Sequence, residues 1–128
     1  MLWKKGKNKV ESEFPLVKWL TKDFRGVRFN ESDLKYIFEN MDPLVAIVAE
    51  VEDEVRIPIW DQDTRVNHLL MLHRDIDGVF GFYDDWIQQV VIRRGFEGKE
   101  LIGFYVNRLN LDLTFSVIET TDNIRESS

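Results

Sequence analysis

Residues 83–119, YDDWIQQVVIRRGFEGKELIGFYVNRLNLDLTFSVIE, carry the pattern that decides the fold. The stretch begins with a predicted helix, which an Asp84 or Asp85 cap starts and Gly95 ends. The apolar residues of this helix share one face: Trp86, Ile87, Val90 and Val91. A short helix with one apolar face has to pack against a larger apolar surface, so strands are expected around it.

Two strands follow that helix, Leu101 to Val106 and Leu111 to Ile118. In the second one, apolar residues alternate with Asp112, Thr114 and Ser116. Alternation with period two predicts a strand with one face in the core and the other in water.

Upstream, the pattern predicts one more helix. Asn30 is a candidate N-cap, Pro43 closes the segment, and four apolar residues lie at i, i+3, i+4 and i+7 between them: Leu34, Ile37, Phe38 and Met41. The β-branched run Leu44 to Val51 and the alternating run Val55 to Trp60 are predicted strands. Glu52-Asp53-Glu54 is the predicted hairpin turn between them.

Short extended segments complete the chain. Two of them lie on either side of a polar bend at Thr21 to Gly26. Two more, Leu69 to Leu72 and Val79 to Phe82, lie on either side of the turn Asp75-Ile76-Asp77-Gly78. About seven strands and two short helices in one domain predict a mostly β protein, folded as a closed or half-closed antiparallel barrel.

Composition limits the possible functions. The chain has 128 residues, 44% of them hydrophobic, no cysteine and no apolar run of membrane-spanning length. Its net charge is −6, but residues 1–28 carry +5 and residues 29–128 carry −11. We therefore expect a flexible basic arm at 1–13, a domain at 14–120 and a disordered tail at 121–128. The charge distribution fits either one positive face that attracts a polyanion or a basic tail on an ordinary acidic domain.

Several segments, taken in order, resemble the plant B3 DNA-binding domain. Residues 83–119 are similar to its C-terminal signature of helix, turn and a final Phe-Ser-Val strand. WDQDTRVNHLLMLHR (60–74) and VKWLTKDF (17–24) are similar to the segments that lead into its two DNA-contacting arms. The resemblance covers about residues 16–119 and implies a seven-stranded open β-pseudobarrel with two short helices.

The resemblance also implies a binding site made of two loops. The first arm, Thr21 to Gly26, would use Thr21, Lys22 and Arg25, with Arg28 at its edge, and the second arm, His73 to Val79, would use His73 and Arg74. These side chains would contact the major groove of duplex DNA. Asp75 and Asp77 depart from this picture, because carboxylates repel phosphates.

The function that follows is that of a DNA-binding module in a nuclear transcriptional regulator. One alternative is a B3-like fold that has lost DNA binding and serves as a protein-interaction module. Another is a restriction-enzyme effector domain, whose recognition fold is similar. No enzyme activity, cofactor, small-molecule ligand or membrane association is expected, because no nucleophile or phosphate-loop signature occurs.

Other polar and aromatic residues have structural interpretations. His68 and His73 lie five apart on a predicted strand, on opposite faces, so a shared metal ion is not expected. Asp61 and Asp63 fit a capped turn better than a cation site. The large aromatics either stack on bases or fill the core, and the core is the better interpretation for most of them: Trp19, Trp60, Trp86, Phe80, Phe82, Phe104 and Phe115.

Overall fold

A computed structural model describes residues 14–21 and 26–121. Its seven strands form one nearly closed, barrel-like sheet, in the order β1-β6-β7-β3-β4-β5-β2. They are β1 (Leu16–Trp19), β2 (Val27–Arg28), β3 (Glu54–Asp61), β4 (Val66–Arg74), β5 (Phe80–Phe82), β6 (Glu100–Val106) and β7 (Leu113–Thr120). The sheet has its open edges at β1 and β2, so the predicted seven-stranded open pseudobarrel is confirmed.

The sequence predicted an antiparallel barrel, but the sheet is not purely antiparallel. β3 and β7 run parallel, with Ile59 beside Leu113 and Asp61 beside Phe115, and the other pairs are antiparallel. This position between β6 and β3 also buries the first half of β7 on both faces. Thr114 and Ser116, expected in water, are buried.

The described residues contain three short helical segments where two were predicted. α1 spans Glu31–Asn40, and α2 spans Pro43–Glu52. α3 begins as Asp84–Trp86 and continues as a π-helical stretch, Ile87–Ile92. None of these helices is long and apolar enough to cross a membrane.

The additional helix, α2, replaces the predicted strand Leu44–Val51. The Asp42 side chain accepts a hydrogen bond from the Leu44 backbone N–H, and Pro43 occupies the first helical turn. An Asp N-cap followed by Pro is a strong helix start, because Pro has no N–H to satisfy and its φ is already helical. Pro43 therefore opens α2 instead of closing α1, and the predicted hairpin turn at 52–54 is the end of α2 and the start of β3.

The core lies inside the barrel and is built around Trp86 of α3. The Trp86 ring is fully buried and contacts the rings of Phe82, Phe104 and Phe115, with centroid distances of 6.5, 6.0 and 5.2 Å. Aromatic contacts of this kind bury large areas and stabilise one fixed arrangement. Most of the predicted aromatic residues therefore serve packing.

A charged cluster closes the β3–β4 turn onto α3 and β7. Asp61 is fully buried, and its carboxylate accepts hydrogen bonds from the backbone of Asp63 and Thr64 and from Arg94 Nη1, at 3.1 Å. Asp63 accepts from Arg94 as well and from the Ser116 hydroxyl, at 3.1 and 2.6 Å. These two aspartates hold the turn together and join three elements.

We expect Arg94→Ala to lower the free energy of unfolding by about 3 kcal/mol, because it leaves the buried Asp61 charge without its cation. Urea unfolding followed by tryptophan fluorescence measures this change. Arg93→Ala, at the exposed neighbouring position, is the matched control. Equal stabilities of the two variants would show that the cluster does not stabilise the fold.

Candidate nucleic-acid interface

The exit of the first arm lies directly against the end of β5. Gly26 has a φ of +108°, and a Cβ there would lie 2.2 Å from the Phe82 carbonyl oxygen. Opposite, a Cβ on Gly81 would lie 2.3 Å from the Val27 carbonyl oxygen. Only glycine allows backbones to approach this closely, and the pairing places Arg28 beside Gly81 at the base of the second arm.

The second arm is a compact turn organised by Asp75. Its Oδ1 accepts hydrogen bonds from the backbone N–H groups of Asp77 and Val79, both at 2.9 Å. The hydrogen bond from Val79, followed by that from Asp77 and the charge of Arg28, holds the pKa of the Asp75 carboxyl below its usual range against the effect of desolvation. Asp75 is therefore ionised at neutral pH, and the turn leaves Ile76 fully exposed at its tip.

Arg28 joins the two arms through ion pairs. Its Nη2 lies 3.2 Å from Asp75 Oδ2 and 3.5 Å from Asp77 Oδ2. Tyr83 supports the same turn by donating a hydrogen bond to the Val79 carbonyl oxygen at 2.6 Å. Burial, and then the Asp75 charge, raise the pKa of the Tyr83 hydroxyl, so it stays a donor at neutral pH.

Arg74 occupies the other side of the second arm. Its Nε donates to Asp53 Oδ1 at 2.8 Å, its Nη1 donates to the Gly78 carbonyl oxygen at 3.3 Å, and its guanidinium lies 4.4 Å from the centre of the Phe80 ring. His73 is half-buried, with Nδ1 3.1 Å from the Arg74 carbonyl oxygen and its ring edge-on to Tyr83 at 5.1 Å. The carbonyl contact is the natural partner of a protonated Nδ1.

The predicted site residues are only partly within the described chain. The second arm contains His73 and Arg74, and Arg28 pairs with it from β2. Thr21 is exposed where the first arm begins. Lys22 and Arg25 lie outside the described residues, as do the predicted basic arm 1–13 and residues 122–128. The structure therefore brings the described parts of both arms together at one end of the barrel.

One cation of this region was not predicted. Lys18 of β1 lines the same cleft as Arg28 and Arg74, and this cleft has a volume of about 550 Å³. Lys18 also forms an ion pair with Asp33 of α1. Lys18 follows Val17 in an alternating strand, and the alternation alone gives no sign of a binding role. We call the space lined by Lys18, Arg28 and Arg74 the arm cleft.

The cations of the arm cleft already have acidic partners. Lys18, Arg28 and Arg74 are paired with four carboxylates, those of Asp33, Asp53, Asp75 and Asp77. Arg28 and Arg74 are also partly exposed, so a phosphate would compete with these carboxylates for the guanidinium groups. Among residues 14–21 and 26–121, no cluster of three or more metal-binding side chains occurs.

Comparisons with known proteins identify the fold. A family model described as the C-terminal domain of B3 domain-containing protein At5g26805 matches residues 16–118. A solved structure titled "Arabidopsis FUS3-DNA complex" matches with a TM-score of 0.56 and 11% identity, covering 84% of this chain and 99% of that chain. A comparison with curated proteins finds no match. The chain therefore belongs to the plant B3 domain family.

Proposed function

We propose that this chain is a DNA-binding module of a transcriptional regulator and contacts the major groove of duplex DNA through its two arms. The observation that supports this most directly is the pairing of β2 with β5, because it places Arg28, at the exit of the first arm, beside the second arm. A family match and a structural neighbour whose title names a DNA complex support the same proposal. The expected location is the nucleus.

The contacts would form by exchange of ion-pair partners. Arg28 and Arg74 are partly exposed, and so are the carboxylates of Asp77 and Asp53 that pair with them. Exposed pairs of this kind contribute little, about 0 to 1 kcal/mol, so a row of phosphates can replace them. Lys22 and Arg25 of the first arm would add two further phosphate or base contacts, and Thr21 a hydroxyl.

His73 and Ile76 would have different tasks in the complex. His73 is held between Tyr83 and the Arg74 carbonyl, and we expect its second ring nitrogen to contact the groove. Ile76 at the tip can pack against a thymine methyl group, the apolar feature of the major groove. Ile76 would approach base edges without adding positive charge.

A second candidate function is a protein-interaction module that has lost DNA binding. The carboxylates paired with Lys18, Arg28 and Arg74 favour it, because they neutralise the described cations of the arm cleft. Direct measurement of DNA binding separates the two functions.

We expect the full chain to bind a fluorescently labelled random-sequence duplex at low salt, with log affinity falling against log salt at a slope of about −3.6. This slope corresponds to roughly four neutralised phosphates. Four side chains can provide the neutralising charges: Lys22, Arg25, Arg28 and Arg74. Fluorescence anisotropy over a salt series measures the slope. No binding at low salt would favour the interaction module.

Arg28→Ala and Arg74→Ala should each weaken binding roughly fivefold and lower the magnitude of the salt slope by about 1, because each removes one phosphate contact. Arg108→Ala is the matched control. Arg108 is exposed in the turn after β6, near Pro15 and thus at the opposite end of β1 from the first arm. Equal losses of affinity in all three variants would show that DNA does not bind specifically at the two arms.

Asp77→Asn should strengthen binding, roughly threefold at low salt, because it removes one of the two carboxylates that pair with Arg28, and with it a charge that repels phosphate. Glu39→Gln removes the same charge from the exposed last turn of α1, so it controls for net charge. Titration of both variants with the same duplex gives the comparison. If the two variants gain equally, net charge and not release of Arg28 is the cause.

A further inference from the structure

The outer face of α2 is apolar where a surface helix is normally polar. Leu44, Ile47, Val48 and Val51 lie at i, i+3, i+4 and i+7, and the exposed fractions of Leu44, Ile47 and Val51 are 64%, 57% and 74%. Residues at this spacing form one continuous stripe along a helix. We call these four residues the α2 stripe.

The fold does not account for this stripe. α2 already packs on the core through Ala49, which is fully buried, and Val45, which lies against the core cluster. β-Branched residues at exposed helix positions also cost helix stability, since Glu, Lys or Ala would favour the helix more. A helix that is apolar all round is usually covered on both faces.

The surface extends beyond the helix. A groove of about 360 Å³ runs beside α2, and its lining includes Leu44 and Val48 on the helix, Pro58 on β3 and Leu111 in the turn before β7. Leu111 is exposed to 39% and is held there with a φ of +63°. The stripe and the groove therefore form a single apolar surface wide enough for another element.

The charges around this surface are mostly acidic, with Arg56 of β3 as the one cation among the described residues that line the groove. Residues 42–54 contain five acids and no Lys or Arg. Glu50 and Glu52 lie on α2, Asp42 and Asp53 cap its two ends, and Glu54 begins β3. Of these five carboxylates, Asp53 pairs with Arg74. A second copy of this chain would bring the same carboxylates together, so self-association is disfavoured here.

We propose that the α2 stripe and its groove form a docking site for a basic amphipathic helix of a partner protein. The partner's apolar residues would cover the stripe, which is about 10 Å long, or roughly two helical turns. Its Lys or Arg side chains would face Glu50, Glu52 and Glu54. A partner could bind this site whether or not the arms bind DNA.

A synthetic helical peptide tests the site directly on the full chain. The probe has leucines at i, i+3, i+4 and i+7 flanked by lysines, and a matched peptide has glutamates in place of the lysines. We expect the lysine peptide to bind and to shift amide signals of residues 42–54 and 110–112 in NMR spectra. The glutamate peptide should bind at least tenfold more weakly, because like charges repel.

Variants identify the surface. Ile47→Gln with Val51→Gln should weaken the lysine peptide at least tenfold, whereas Ile76→Gln with Ile92→Gln removes two exposed apolar side chains elsewhere and should have no effect. Glu50→Gln with Glu52→Gln leaves the apolar stripe intact and should weaken the lysine peptide severalfold. It provides a second measurement should the first pair perturb folding.

Five results would overturn the proposal. Four of them are failure of the lysine peptide to bind, equal affinity for both peptides, binding that is unchanged in the stripe and glutamate variants, and self-association through α2 in sedimentation experiments without peptide. Replacing Lys4, Lys5, Lys7 and Lys9 with Gln tests whether this chain's own basic residues occupy the site. The fifth result is a shift of the Ile47 and Val51 signals in that variant, because it would show that the four lysines of this chain, and not a partner, occupy the site.

Discussion

The close approach of β2 to β5 is the constraint on which the candidate site depends. Two glycines, Gly26 and Gly81, let carbonyl oxygens of the facing strand lie where a Cβ would otherwise be. β2 is only two residues long, so this contact, together with the hydrogen bond from the Phe29 N–H to the Phe80 carbonyl oxygen, determines where Arg28 lies. A larger residue at either glycine would push β2 away from the second arm and separate Arg28 from Asp75. The site is therefore built by backbone packing first and by charge second.

Burial separates the ion pairs of this protein into two kinds. Asp61 is fully buried and pairs with the mostly buried Arg94, and Asp63 extends this cluster to Ser116, so the cluster holds β3, the end of α3 and β7 together. The pairs of Arg28 with Asp77 and of Arg74 with Asp53 are partly exposed, and water and salt screen them. The first kind can be broken only at the cost of the fold. The second kind can change partners, which is what a nucleic-acid surface with a net acidic background requires.

Much of the fold could be predicted from the sequence because period-two alternation and helix caps are local signals. The alternation at β3 and the apolar face of α3 both correspond to observed elements. The failure at Leu44–Val51 has a physical cause, since a run of β-branched residues fits a strand as well as a helix, and the Asp42-Pro43 start decides between them. The ion pairs could not be predicted, because Arg28 and Asp75 lie far apart in sequence and meet only through strand pairing.

A shared residue connects the two proposed surfaces. Asp53 caps the C-terminal end of α2 and also accepts the hydrogen bond from Arg74 beside the second arm. If Arg74 turns to a phosphate, Asp53 loses its cation and the end of α2 becomes more acidic, which strengthens attraction for a basic partner. If a basic partner instead takes Asp53, Arg74 is released toward the arm cleft. Binding at either surface would then favour binding at the other, because such a linkage acts equally in both directions.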